Sequence, residues 1–128
     1  MAPLRTTADL RRAVVSVLGP RKGGIDPATR TFQAVRIAVN GEIEALETFL
    51  VKAPRRLRAK GRLVVVSYHS LEDRAVKLAF RALGKSADDG IEPAFRVLTR
   101  KPLTASEAEV ARNRRARSAK LRALQRVA

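Results

Sequence analysis

Apolar positions along this chain follow two different periods. Between Pro27 and Leu57 they recur at helical spacing. Phe32, Val35, Val39, Ile43, Leu46 and Leu50 fall within one narrow stripe at 100° per residue, a core face. Ala34, Ala38, Gly41 and Ala45 form a second stripe roughly opposite, small enough for close approach of another element. Asp26-Pro27 supplies an N-cap and a proline at the first helical position. The pattern predicts one long helix from Pro27 to about Leu57, loosened at Gly41 and interrupted near Pro54. Two buried faces would make it central to the fold.

The second period is short. Leu63 to Val66 is an unbroken apolar, β-branched run opened by Gly61, which suits a strand buried on both faces, as in a parallel sheet under helices. Ser70-Leu71-Glu72-Asp73 comes next as an S-x-x-D capping box, so a helix over Leu71 to Leu83 starts almost where the strand stops. Tyr68, His69 and Ser70 are left at the strand's carboxyl end, the edge where ligands sit in open α/β sheets.

Weaker signals complete the chain. Thr6 with Asp9 caps a short helix that Gly19-Pro20 stops at Leu18, and Arg21 to Ile25 reads as a basic, flexible connector. Arg55 to Lys60 is a basic turn, and Lys85 to Pro93 a polar surface loop. Phe95 to Thr99 alternates as a half-exposed strand, and a capping box at Thr104-Ala105-Ser106-Glu107 opens a helix to about Arg112. From Ala119 to Val127 apolar and polar residues nearly alternate, with Ala119, Leu121, Ala123 and Val127 opposite Lys120, Arg122 and Arg126. Period two favours a strand there, while Ala, Leu and Arg favour a helix. Pattern alone leaves the tail open.

Charge narrows the partners. With 27 Lys+Arg against 12 Asp+Glu in 128 residues, the net charge of +15 points to a polyanion, nucleic acid above all. Aromatics are only 4% of the chain, which argues against a single-strand binder built on stacked rings. There is no cysteine and one histidine, so structural zinc, disulfides and thiol catalysis within the chain are excluded, and no metal site is expected. No apolar run approaches the roughly 20 residues of a membrane span, and a soluble, cytoplasmic protein with no membrane partner is the expectation.

Polar candidates fall into two sets. Gln33, Arg36 and Asn40 border the apolar stripe, where they either brace a neighbouring loop or contact a ligand. His69 and Ser70 stand at the strand's end. His69 either takes part in chemistry or hydrogen-bonds the turn, and Ser70 reads better as a cap than as a nucleophile. No catalytic residue is identifiable beyond these two. Arg30, Arg36, Asn40, Arg74 and the cluster Arg114, Arg115, Arg117 are the candidate nucleic-acid contacts, the arginines because guanidinium forks match phosphate oxygens.

Three segments, ATRTFQAVRIAVN (28–40), GRLVVVSYHSLEDR (61–74) and LTRKPLTASEAEVARNRRARSAKLR (98–122), resemble the carboxyl-terminal half of the MraW-type ribosomal RNA methyltransferases. Tyr68 stands where that family usually has Phe, and Arg114 where it usually has Pro. The resemblance implies methyl transfer from S-adenosylmethionine to the exocyclic amine of a cytosine in small-subunit ribosomal RNA. It also implies a partial Rossmann-like α/β fold, the second half of the sheet with flanking helices. Residues 1–25 would end a helical insertion domain and 26–128 form the later part of the catalytic domain. Phe95 and Ala119 segments would make its closing antiparallel strand pair, so the tail becomes a strand.

No G-x-G-x-x-G-like segment is present, and Gly23-Gly24 precedes Asp-Pro rather than succeeding a strand. The resemblance therefore places the S-adenosylmethionine site in an amino-terminal half outside this chain, with no cofactor-binding residue here. A donor-binding half would be a partner, and the chain alone inactive. A non-catalytic RNA-binding module derived from the enzyme, or a small basic protein of the ribosome, are the alternatives. Half a sheet exposes an edge and apolar faces, which predicts instability or self-association.

Overall fold

The computed structural model describes residues 3–20, 23–85 and 93–128, in two compact units, Met1–Glu42 and Ile43–Ala128. Part of the basic connector (21–22) and most of the polar loop (86–92) lie outside the described residues.

In the first unit, α1 (Thr7–Leu18) carries the expected capping box: Thr6 Oγ1 accepts from the Asp9 amide at 3.2 Å and Asp9 Oδ2 accepts from the Thr6 amide at 2.8 Å. Those hydrogen bonds, the Thr6 hydroxyl first, hold the Asp9 carboxyl below the usual range. Asp26 shapes the next turn by accepting from the Ala28 amide at 2.9 Å and from Arg11 Nε at 2.8 Å. The helix it prepares, α2 (Thr29–Asn40), begins two residues later than Pro27 because Ala28 is the N-cap.

The long helix does not run through. Gly41 takes φ 60°, ψ 31°, which ends α2, and α3 (Glu42–Lys52) starts afresh. A left-handed residue redirects the chain beyond it, so the apolar stripe does not carry across the break. No residue of α2 is buried and Val39 is 78% exposed. The prediction of a central helix with two buried faces is thus overturned. Of the stripe, Leu46 and Leu50 on α3 pack into the core of the second unit.

That second unit is an α/β arrangement with a small antiparallel sheet. Its strands are β1 (Arg62–Ser67), β2 (Phe95–Val97), β3 (Leu103–Thr104) and β4 (Lys120–Arg126). β4 is the middle strand, antiparallel to β1 on one side and to β2 and β3 on the other. The tail is therefore a strand, and its pairing with β2 is the expected antiparallel pair. β1 to β4 registers Leu63 with Leu124, Val65 with Arg122 and Ser67 with Lys120.

One face of this sheet is packed. α4 (Ser70–Leu83) lays Val76 and Phe80 against Leu124, with Leu50 completing the fully buried cluster and Leu63, Val65, Phe95 and Val97 around it. Gly84 closes α4 so near β2 that a Cβ there would come within 2.9 Å of Val97 Cγ2. The other face is open: Val64 and Val66 are 52% and 47% exposed. The prediction of a strand buried on both faces fails because α4 covers the Leu63 and Val65 side while Val64 and Val66 stay exposed on the other, giving β1 an alternating burial pattern. In β4 the packed side is the one predicted to be polar, for Arg122 and Leu124 share it and both are buried. A last helix, α5 (Glu107–Arg112), is capped by Ser106 Oγ, which accepts from the Glu109 amide at 3.2 Å. Thr104 belongs to β3 instead, so the cap sits two residues later than its sequence position suggests.

Candidate functional site

At the carboxyl end of β1 the chain turns a tight polar corner into α4. His69, not Ser70, is the N-cap: its Nδ1 accepts from the Glu72 amide at 3.3 Å. Glu72 replies through its carboxylate, Oε2 accepting from the Tyr68 amide at 3.0 Å. The buried Nε2 lies 3.4 Å from Glu72 Oε1 without a hydrogen bond. Ser70 is exposed in the first turn. The predicted Ser70–Asp73 box is corrected to a His69–Glu72 cap one residue earlier.

Asp73 is drawn elsewhere. Arg122, from the middle strand, donates Nε to Asp73 Oδ1 at 2.7 Å and Nη2 to Oδ2 at 3.1 Å. Both residues are buried, at 8% and 6% exposure, and Lys120 Nζ stands 3.8 Å from the same carboxylate. The hydrogen bonds from Arg122 hold the Asp73 carboxyl below the usual range; burial opposes this, and the positive charges of Arg122, Lys120 and Lys77 add to it. This pair was not foreseen. Its one sequence signal is an arginine inside a strand whose neighbours are apolar.

The corner opens on a cleft of about 320 Å³ on the open face of the sheet. Val66, Leu103 and Leu121 give it an apolar lining, and Tyr68, Glu109 and Asn113 line it as well. Tyr68 is 57% exposed, so its ring is available to a flat ligand.

The RNA candidates divide. Arg36 Nη2 donates to Glu42 Oε2 at 3.0 Å and Asn40 Nδ2 to Glu42 Oε1 at 3.1 Å, so both brace the Gly41 corner. Arg30 is exposed at the start of α2 and Arg74 on α4. Arg114, Arg115 and Arg117 are brought together, exposed, on a single 3₁₀ segment (Arg114–Ser118) that Asn113 Oδ1 caps by accepting from the Arg115 amide at 3.1 Å. The cationic side of the α4–β2 junction, Lys77, Arg81, Lys85 and Arg100, went unnoticed in the sequence because its members come from two distant segments.

Gly23 and Gly24 lie between α1 and α2 rather than between a strand and a helix. Among the described residues no helix is long and apolar enough to cross a membrane.

Comparison with known proteins places these features. The profile of the MraW methylase family matches residues 1–127. A ribosomal RNA small subunit methyltransferase H of Sorangium cellulosum (strain So ce56) is 58% identical over 126 residues, 97% of this chain and 37% of that protein. The namesake of Synechococcus sp. (strain JA-2-3B'a(2-13)) is 56% identical over 94% of this chain and 35% of its own length. That of Gloeobacter violaceus (strain ATCC 29082 / PCC 7421) is 54% identical over 98% and 37%. The chain thus spans a little over a third of the relatives it matches. An alignment of this extent and identity, running through the β1–α4 corner and the tail strand alike, makes the chain a member of the MraW methylase family.

Proposed function

We propose that this chain is the substrate side of an S-adenosylmethionine-dependent methyltransferase acting on the exocyclic amine of a cytosine in small-subunit ribosomal RNA. The observation that carries the reading is the capped corner Tyr68-His69-Ser70, opening beside an apolar-lined cleft in a chain of this family. The sheet is the later half of a Rossmann-like one. Residues 1–25 end a helical insertion domain, and 26–128 belong to the catalytic domain. The methyl donor is held by a part of the enzyme outside this chain, a reading supported by the setting of Gly23 and Gly24.

Bound S-adenosylmethionine supplies an electrophilic methyl group. The cytosine amine is a poor nucleophile, its lone pair being delocalised into the ring, so placement dominates the chemistry. The base must leave its stack to be reached. The cleft is shaped to receive such a base. Tyr68 offers a face for stacking, Val66, Leu103 and Leu121 offer an apolar surface, and Asn113 and Glu109 offer polar atoms. His69 serves as a positioning residue that fixes the corner through Nδ1, and Ser70 as its first helical residue. Arg30, Arg36, Asn40, Arg74, Arg114, Arg115 and Arg117 supply phosphate contacts, the 3₁₀ cluster foremost because it borders the cleft at Asn113 and Ala116.

The test pairs this chain with the amino-terminal part of the Sorangium relative and measures transfer of labelled methyl to small subunits. Transfer by the mixture and by neither part alone is the expected result. Calorimetric binding of S-adenosylmethionine by this chain alone would overturn the placement of the donor site. If the mixture binds subunits without methylating them, the chain is a non-catalytic RNA-binding module instead.

A further inference from the structure

On the packed side of the sheet, beyond β4 from β1, a second cavity of about 460 Å³ lies between α4 and the segment after β2. Its floor is apolar, made by Phe80, Gly84 and Val97. Its rim carries Lys77 and Arg81 from α4, Lys85 just past the Gly84 cap, and Arg100 from the β2–β3 connection, all exposed. The fifth cation there, Arg122, is buried and taken by Asp73. Four exposed charges therefore converge on one opening, and among the described residues no carboxylate lines it.

The helical cations are ordered. Lys77 and Arg81 stand one turn apart on α4, Arg74 precedes them by three residues, and Lys85 follows just past the Gly84 cap. Arg74, Lys77 and Arg81 form a positive row along one side of α4, with about 6 Å of rise between Lys77 and Arg81, and Lys85 continues it beyond the helix end. A row of exposed cations with an apolar recess beneath it matches a chain of phosphates whose sugars or bases reach inward. It does not match one small anion, which would be enclosed by convergent, buried donors. The cavity and the free edge of β1 also lie on opposite sides of β4, so a partner that extends the sheet from β1 leaves the cavity uncovered.

We infer that the α4 row with Arg100 is a backbone-binding groove for RNA, separate from the cleft beside Tyr68, holding a stretch of the substrate away from the reacting base. The inference rests on the proposed RNA substrate and names a second contact with it.

The experiment measures binding of the intact 128-residue chain to a labelled small-subunit RNA fragment across a salt series. Two variants of equal charge loss are compared: Lys77→Gln/Arg81→Gln/Arg100→Gln in the groove, and Arg55→Gln/Arg58→Gln/Arg62→Gln outside it. All six side chains are exposed, so both variants keep the fold. The groove variant is expected to bind about tenfold more weakly, with the slope of log affinity against log salt reduced by about 2. The outer variant should keep a slope near that of the parent chain. Equal losses in the two variants, or an unchanged slope in the groove variant, overturn the groove while leaving the RNA reading intact. Absence of any salt-dependent RNA binding by the parent chain overturns both. Binding of inorganic phosphate with unaltered RNA affinity assigns the cavity to a small anion and overturns the groove.

Discussion

Arg122 grips Asp73 with two hydrogen bonds, 2.7 and 3.1 Å long, across 49 positions of sequence. One partner lies within the middle strand and the other sits in the first turn of the helix that covers it. The contact therefore pins the packed helix at the end where the polar Tyr68-His69-Ser70 corner lies.

Breaking that pair from one side strands a buried charge. Asp73→Ala or Arg122→Ala should each cost about 3–5 kcal/mol in urea unfolding, whereas the double replacement Asp73→Leu/Arg122→Met should cost far less. Single variants as stable as the double would show that the pair contributes nothing.

The same carboxylate makes stability pH-dependent. Its folded pKa lies below the unfolded value of about 3.9, so its contribution is complete above that value and is lost as pH falls through the folded one. Unfolding free energy should decline on acidification below about pH 5. The decline should be shallower in Asp73→Asn, as denaturant titrations at several pH values would reveal.

His69 is testable as a cap. His69→Ala should lower stability by about 0.5–2 kcal/mol, and His69→Asn, which can accept from the Glu72 amide, should recover most of it. In the reconstituted enzyme His69→Asn should keep methyl transfer within a few-fold. Loss of transfer with stability intact would assign the imidazole to chemistry.

Gly84→Ala should destabilise by about 1–3 kcal/mol, since the new methyl meets the stiff Val97 side chain across the α4–β2 junction. A companion change, Val97→Ala, should relieve part of that clash even though it removes packing of its own. Thermal unfolding of the four members of the cycle measures it.

The open face predicts concentration-dependent association. Val64→Lys/Val66→Thr should shift size-exclusion elution toward the monomer and change stability by no more than about 0.5 kcal/mol per site, because both side chains are already exposed. A parent chain that elutes as monomer at every concentration contradicts this.

Local chemistry determined much of the molecule. Thr6 and Asp9 cap α1 as neighbours three residues apart must, Leu63 to Val66 is a strand, and the α4 boundary at Gly84 is set by glycine after an amphipathic run. Resemblance of three ordered segments located the family and turned the ambiguous tail into a strand, which β4 is. Tertiary structure decided the rest. Ser70 and Asp73 had the right spacing for a box, but Arg122 competes for Asp73 with two charged hydrogen bonds, and the cap falls to His69 and Glu72. Phe32 to Leu50 had the right period for one helix, but a left-handed Gly41 divides it. Periodicity records which residues share a side of an element. Which side is buried depends on what packs there, and that is fixed by residues far away in the chain.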